Sequence, residues 1–272
     1  MPKDLRGGLP TYWTEFGQGA REALLIHCSL AHSGAWKGVA GLLADQLHMR
    51  AFDLPGHGRS DDWPGDVDVQ ELATAMAADL VGSEGPMDII GHSFGATVAL
   101  RLAIEHPAMV RSLVLIESVM VAAALADDEV GASQHLADMA GYADAVARGD
   151  REAAAREFMK EWGDGTPWEK LPEAQKAFLV NRIHLIEAND ETVMKDQPRI
   201  LARKLIEQVK VPVLLIRGAQ SSPIVAPIHA AIYRRLPQAH SLSIEGAGHM
   251  VPMSHPEAVA REIAGFLEAV PG

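Results

Sequence analysis

Apolar positions in this chain fall into two alternating patterns. Short, mostly apolar runs lie at residues 23–28 (ALLIHC), 49–54, 87–90, 113–116 (LVLI) and 211–216 (VPVLLI), with a weaker one at 241–244. Each predicts a buried strand. Between them the apolar residues recur at helical spacing. Residues 35–47 form one such segment, and Leu72, Met76 and Leu80 mark another. Residues 94–106 carry Val98, Leu102 and Ala103 on one face and stop before Pro107. Residues 227–236 follow, and Val259, Ile263, Phe266, Leu267 and Val270 make a final stripe. Asp68 with Glu71, and Ser254 with Glu257, have capping-box spacing and predict two helix starts. Pro55-Gly56-His57-Gly58 cannot continue a strand and predicts a turn. Strands alternating with helices predict an α/β fold, a mostly parallel central sheet flanked by helices.

From Val119 to Lys210 the strand signal vanishes. The segment is Ala-rich and charged, with helices predicted at about 133–147, 151–162 and 172–188 and breaks at Gly149-Asp150 and Gly163-Asp164-Gly165. This predicts a core made of residues 1–118 and 206–272, with residues 119–205 inserted as a helical cap or lid. A plain helical subdomain without a gating role fits the same pattern.

Composition narrows the function. Of 272 residues, 48% are apolar and 22% charged, the balance of a folded globular chain. The net charge is −12 and no dense Lys/Arg run occurs, which argues against nucleic acid as a partner. There is no uncharged apolar run long enough to span a membrane, and the first ten residues lack the apolar centre of a secretory signal. The expectation is a cytoplasmic protein, a monomer or small homo-oligomer, bound to no membrane. Cys28 is the single cysteine, so no internal disulfide forms. No metal-ligand spacing and no dinucleotide or phosphate-loop motif occurs, so no cofactor or metal is expected.

Gly91-His92-Ser93-Phe94-Gly95 follows a predicted strand and opens a predicted helix. That is the context of a G-x-S-x-G nucleophile elbow, a strained turn that lifts the serine hydroxyl above the sheet. The glycine and serine content allows only about 0.1 chance matches in this chain, before context is required. A serine hydroxyl needs a base. Among 12 histidines, His249 in Gly246-Ala247-Gly248-His249 follows the last predicted strand and can reach over the carboxyl edge of the sheet. His255, His92 and His57 sit where structural or lining roles are expected.

The ordered stretches Leu25-Ile26-His27-Cys28-Ser29, Asp53-Leu54-Pro55-Gly56-His57-Gly58-Arg59-Ser60, Gly91-His92-Ser93-Phe94-Gly95, Val211-Pro212-Val213-Leu214-Leu215-Ile216-Arg217-Gly218 and Gly246-Ala247-Gly248-His249 resemble the α/β-hydrolase fold superfamily over about residues 10–270. The resemblance implies an oxyanion hole from the backbone N–H groups of Ser29 and Phe94. It departs from the family at Cys28, where glycine is usual. It departs further after residues 211–216, where relatives usually carry the triad acid and this chain reads Gly218-Ala219-Gln220-Ser221-Ser222-Pro223. Some members, the haloalkane dehalogenases among them, carry the acid after the strand that here ends in Glu117. Ser93, Glu117 and His249 keep the family order. The alternatives are a Glu117 facing solvent and a Ser93–His249 dyad oriented by Ser222. Asp53 also ends a strand, but the turn it opens uses it structurally.

Serine at the elbow disfavours the members that use a carboxylate there. Hydrolysis of a carboxylic ester or lactone through an acyl-enzyme is the first reading, on a small, apolar substrate. Trp36, Met120, Val121, Met250 and Met253 are the expected pocket residues. Carbon–carbon bond hydrolysis, amide hydrolysis, acyl transfer and perhydrolysis use the same parts. A non-catalytic ligand-binding protein of this fold also fits a chain lacking the usual acid.

Overall fold

A computed structural model describes residues 4–83, 85–127 and 130–271. Two short strands, β1 (Asp4–Arg6) and β2 (Leu9–Thr11), pair as an antiparallel hairpin turned at Gly7-Gly8. Then come β3 (Trp13–Phe16), β4 (Arg21–Ile26), α1 (Lys37–Leu42), β5 (Leu47–Phe52), α2 (Val69–Val81), β6 (Met87–His92), α3 (Phe94–Glu105) and β7 (Val110–Ile116). Six helices follow: α4 (Val121–Ala126), α5 (Val130–Asp138), α6 (Ala140–Ala147), α7 (Arg151–Trp162), α8 (Glu173–Arg182) and α9 (His184–Val193). The chain ends with β8 (Val213–Gly218), α10 (Val225–Arg235), β9 (Ala239–Ile244), α11 (Val251–Ser254) and α12 (Pro256–Glu268).

The sheet has seven strands in the order β3-β5-β4-β6-β7-β8-β9. Only β3 runs antiparallel to its neighbour. Alternate side chains point to opposite faces. Leu24, Ile26, Leu113 and Leu115 meet α2, α3 and α10 in one core, while Ala23, Leu25, Val114 and Ile116 meet α1 and α12 in another. Burial on both faces is why these strands read as unbroken apolar runs.

At the amino edge of the sheet, the buried carboxylate of Asp88 accepts from Arg21 Nη2 (2.9 Å), Arg111 Nη1 (3.0 Å) and Ser112 Oγ (2.6 Å). Arg21 also donates to the carbonyl of Val270 (2.8 Å) and so ties the end of the chain to the sheet. A buried charge is tolerated when paired and hydrogen-bonded in this way.

Several element boundaries depart from the sequence reading. The helix expected over 35–47 stops at Leu42, because Leu47 already pairs with Arg21 in the sheet. No apolar pattern before residue 23 predicts an element, yet three strands lie there. The expected helices at 133–147 and 172–188 are each interrupted at one residue, Met139 and Ile183. The N–H of Met139 still bonds to the carbonyl of His135, and that of Ala143 to Met139, so the helical ladder runs through the first interruption. Asp68 caps α2 as expected, accepting from the Glu71 N–H at 2.7 Å. Ser254 does not cap α12. Its hydroxyl folds back on the Met250 carbonyl (3.2 Å) within α11, and α12 starts at Pro256.

Helices α6 to α9 pack around a small core of their own, built on Tyr142, Ala145, Ala154, Ala155, Leu179 and Ile183, while α5 joins the main core through Ala132. They lie over the carboxyl edge of the sheet. Arg182 Nε donates to the Gly56 carbonyl (3.2 Å), Thr192 Oγ1 to Asp68 Oδ2 (3.2 Å) and Asn189 Nδ2 to Ser29 Oγ (3.1 Å). Where α4 enters this layer, Asp127 pairs with Arg235 Nη1 of α10 at 2.7 Å.

Candidate active site

The carboxyl ends of β6 and β7 stand side by side, with His92 paired to Ile116. One residue beyond each strand the backbone enters the left-handed region: Ser93 at φ 57° and Glu117 at φ 53°. Such a conformation is costly for a residue with a side chain and is held only by its surroundings. The N–H of Ser93 bonds to the Ile116 carbonyl (2.8 Å), and that of Glu117 to the Ile216 carbonyl (2.8 Å), which fixes both turns against the neighbouring strand.

The elbow leaves no room for side chains at its flanks. A Cβ on Gly91 would lie 2.3 Å from the Gly95 carbonyl oxygen, and one on Gly95 would lie 2.3 Å from the Ile26 carbonyl oxygen. Both obstacles are backbone, which cannot rotate away. Gly95→Ala is therefore expected to separate α3 from β4 and to cost about 3 kcal/mol of stability. Urea unfolding measures this, and a midpoint unchanged from the parent protein would contradict the packing.

Three side chains meet above the sheet edge. His249, in the loop after β9, places Nε2 3.0 Å from Ser93 Oγ and Nδ1 2.9 Å from Glu117 Oε2. Glu117 is completely buried, and its other oxygen accepts from the Gly218 N–H and from Ser221 Oγ (2.8 Å). A carboxylate facing Nδ1 places the proton there and leaves the Nε2 lone pair toward the serine. His92 Nε2 donates to the His249 carbonyl (2.8 Å), which holds the loop, and burial pushes this imidazole down to about 3. Trp162, at the end of α7, meets the His249 ring edge-on, with centroids 4.9 Å apart. Ser222 turns away from the histidine and contacts Glu161, so it does not orient His249.

The loop after β4 runs past the same serine. Among the described residues neither the Ser29 nor the Phe94 N–H has an acceptor within the protein. Phe94 heads α3, where a first-turn N–H has no helical partner and the dipole favours negative charge. Two neutral histidines shape the loop. His57 Nε2 accepts from the Leu30 N–H (3.0 Å) and its Nδ1 donates to the Pro55 carbonyl (2.8 Å). His27 Nε2 accepts from the Leu54 N–H (3.0 Å). Burial lowers both, His57 to about 4. Asp53 accepts from the Ser33 and Arg59 N–H groups (2.6 and 2.8 Å) and is structural. Cys28 is buried beside them, and burial pushes its thiol up to about 12, so it stays protonated.

Ser93, Ser29, Phe94 and His249 open into a cavity of about 470 Å³ between the sheet edge and α5–α9. Its walls are largely apolar, with Val119, Leu136, Met139, Phe158, Met159 and Met194 among them. Of the residues expected from sequence to line it, Val121 and Met250 do, and Trp36, Met120 and Met253 do not. Trp36 sits beneath the sheet in the core with α1 and α12. Met120 and Val121 both belong to the core on the other face of the sheet, and Val121 alone of the two also borders the cavity. The walls contributed by α5–α9, Trp162 and Asn189 among them, escaped the sequence reading, because an apolar helical stripe does not say which layer it covers. Among the described residues, no group of three or more His, Cys, Asp or Glu side chains is arranged to hold a metal, and no helix is long and apolar enough to cross a membrane.

Comparison with known proteins agrees with this architecture. The chain is 31% identical over 257 residues to a pimeloyl-[acyl-carrier protein] methyl ester esterase of Neisseria meningitidis serogroup C, covering 92% of this chain and 94% of that one. A thermophilic esterase from Thermogutta terrifontis has the same fold at a TM-score of 0.71 and 20% identity, over 96% of this chain and 94% of that chain. Cfl2 of Burkholderia cenocepacia matches at 0.73 and 23%, over 97% and 94%. The model of the alpha/beta hydrolase family matches residues 23–262, which span the sheet, the elbow and the histidine loop. The chain belongs to the alpha/beta hydrolase family.

Proposed function

We propose that this protein hydrolyses a small, largely apolar carboxylic ester through an acyl-enzyme on Ser93. The observation that carries the proposal is the continuous relay from Ser93 Oγ through His249 to Glu117, at 3.0 and 2.9 Å. Ser93 Oγ bonds to the carbonyl carbon while His249 Nε2 takes its proton. The carbonyl π pair becomes an oxyanion held by the Ser29 and Phe94 N–H groups. Collapse breaks the bond to the alcohol oxygen, which leaves with the proton from His249. Water then repeats the sequence on the acyl-enzyme and frees Ser93. Glu117 holds the imidazole tautomer and offsets the charge of the imidazolium. Relatives named as methyl ester esterases support an ester as the bond cleaved. Residues 119–205 form the cap of the site, and the apolar cavity beneath them takes the acyl part of the substrate.

A fluorophosphonate probe tests the reading. Wild-type protein is expected to take up one equivalent at Ser93, to turn over p-nitrophenyl esters and to lose both properties as Ser93→Ala. Absence of labelling rejects it in favour of a ligand-binding protein of this fold, and labelling that survives in Ser93→Ala rejects Ser93 as the nucleophile.

A further inference from the structure

Ser29 lines the cavity that Ser93 opens into, and its side chain is held from the opposite layer of the molecule. Asn189, on α9, donates from Nδ2 to Ser29 Oγ at 3.1 Å, across the boundary between the two layers of the molecule. A serine hydroxyl has one proton and two lone pairs. With a lone pair occupied by Asn189, the Ser29 O–H is directed elsewhere, and it has no acceptor among the described residues. Ser29 lines the same cavity as Ser93, as does Asn189, which is itself buried. Among the described residues the buried Asn189 carbonyl oxygen has no hydrogen-bond partner, so the bond to Ser29 is the side-chain hydrogen bond seen for this amide. An accepted hydrogen bond polarises a hydroxyl and makes it the better donor.

Resting on the esterase reading above, we infer that the Ser29 hydroxyl is a third donor to the oxyanion formed at Ser93, and that Asn189 is the positioning residue that aims it. The device makes the oxyanion site depend on α9, so that it is complete only when the helical layer is seated on the core.

Four variants test this with steady-state ester hydrolysis. Ser29→Ala keeps the backbone N–H and removes the hydroxyl, and kcat is expected to fall about 10- to 100-fold with KM little changed. Asn189→Ala is expected to match it, and the double variant Ser29→Ala/Asn189→Ala to be no worse than either single one, because both remove the same donor. Asn189→Asp is the decisive arm. A carboxylate cannot donate to Oγ but accepts from it, so it takes the Ser29 proton away from the substrate and should also lower kcat. A merely structural contact would survive that change. Unaltered kcat in Ser29→Ala, or full activity in Asn189→Asp, overturns the inference. Thermal unfolding of each variant separates loss of fold from loss of donor. Fluorophosphonate labelling keeps the two readings apart. Wild-type protein that is labelled and active, with Ser29→Ala equally active, rejects the third donor alone. Unlabelled wild-type protein rejects the Ser93 esterase beneath it.

Discussion

Glutamine at Glu117 is expected to lower ester turnover about 10⁴-fold while leaving the fold nearly intact. Glutamine is isosteric with glutamate. Its amide can offer an N–H to His249 Nδ1 where the carboxylate offered only acceptors. The imidazole then carries its proton on Nε2, facing Ser93, and cannot receive another in neutral form. The loss falls on kcat, since the substrate does not touch Glu117. The other oxygen of Glu117 accepts from the Gly218 N–H and Ser221 Oγ. If the amide NH₂ turned that way instead, it would meet two donors, so the flip toward His249 is favoured. Ser221→Ala removes one of those two and should cost far less, and Ser222→Ala, whose hydroxyl meets Glu161, less again. Stopped-flow hydrolysis of an activated ester, followed at matched thermal stability, measures the ordering. Near-normal turnover in Glu117→Gln would remove Glu117 from the mechanism.

The placement of this acid shows how far one chain can be read. Ser93, Glu117 and His249 each lie immediately past a strand or in the loop after one, and a strand end is legible because apolar runs stop abruptly. Their convergence follows from the strand order, with β6, β7, β8 and β9 adjacent. The missing carboxylate after β8 is explained by the same adjacency. Glu117 reaches across from β7 and hydrogen-bonds to Gly218 and Ser221, so the loop that usually supplies the acid instead cradles one from next door. Interior direction was not legible. Trp36 and Met120 stand near site residues in sequence, yet a turn of the backbone sends each into a core. Nor was the hydrogen bond from Asn189 to Ser29, which joins residues 160 apart. No local spacing encodes a contact between two separately packed layers. The N-terminal strands were missed for a different reason, since Asp4–Arg6 and Leu9–Thr11 are too short for an alternating pattern to emerge.

Stability is expected to fall steeply as the pH drops from about 6.5 toward 4. His27, His57 and His92 are all buried, and burial is the largest cause holding each in its neutral form. His57 is pushed down to about 4 and His92 to about 3, against an ordinary value of 6.5. In the unfolded chain each takes up a proton near 6.5, so below that pH the unfolded state binds more protons than the folded one. The stabilisation is therefore whole above about 6.5 and is lost on acidification until the folded pKa is reached. Each histidine still neutral in the fold contributes a loss of about 1.4 kcal/mol per pH unit, so three together approach roughly 4 kcal/mol per unit. That is a large share of the 5–15 kcal/mol typical of a folded domain. Asp190 acts in the opposite direction. Burial and Glu187 raise it to about 6, so between about 3.8 and 6 the fold gains a proton that the unfolded chain lacks. His229, pushed down to about 4 chiefly by burial, adds to the three, so one carboxyl group against these imidazoles leaves the net sign unchanged. Urea midpoints at pH 7.5, 6 and 5 should decrease in that order, and a flat profile would contradict the burial argument. His57→Gln keeps an acceptor for the Leu30 N–H without a titrating group and should reduce the slope by roughly 1.4 kcal/mol per pH unit. The same imidazoles hold the Leu30 turn, the Leu54 turn and the His249 carbonyl. Protonation of the first two removes an acceptor the backbone needs, so acid should disorder the loop carrying Ser29 before it melts the sheet beneath.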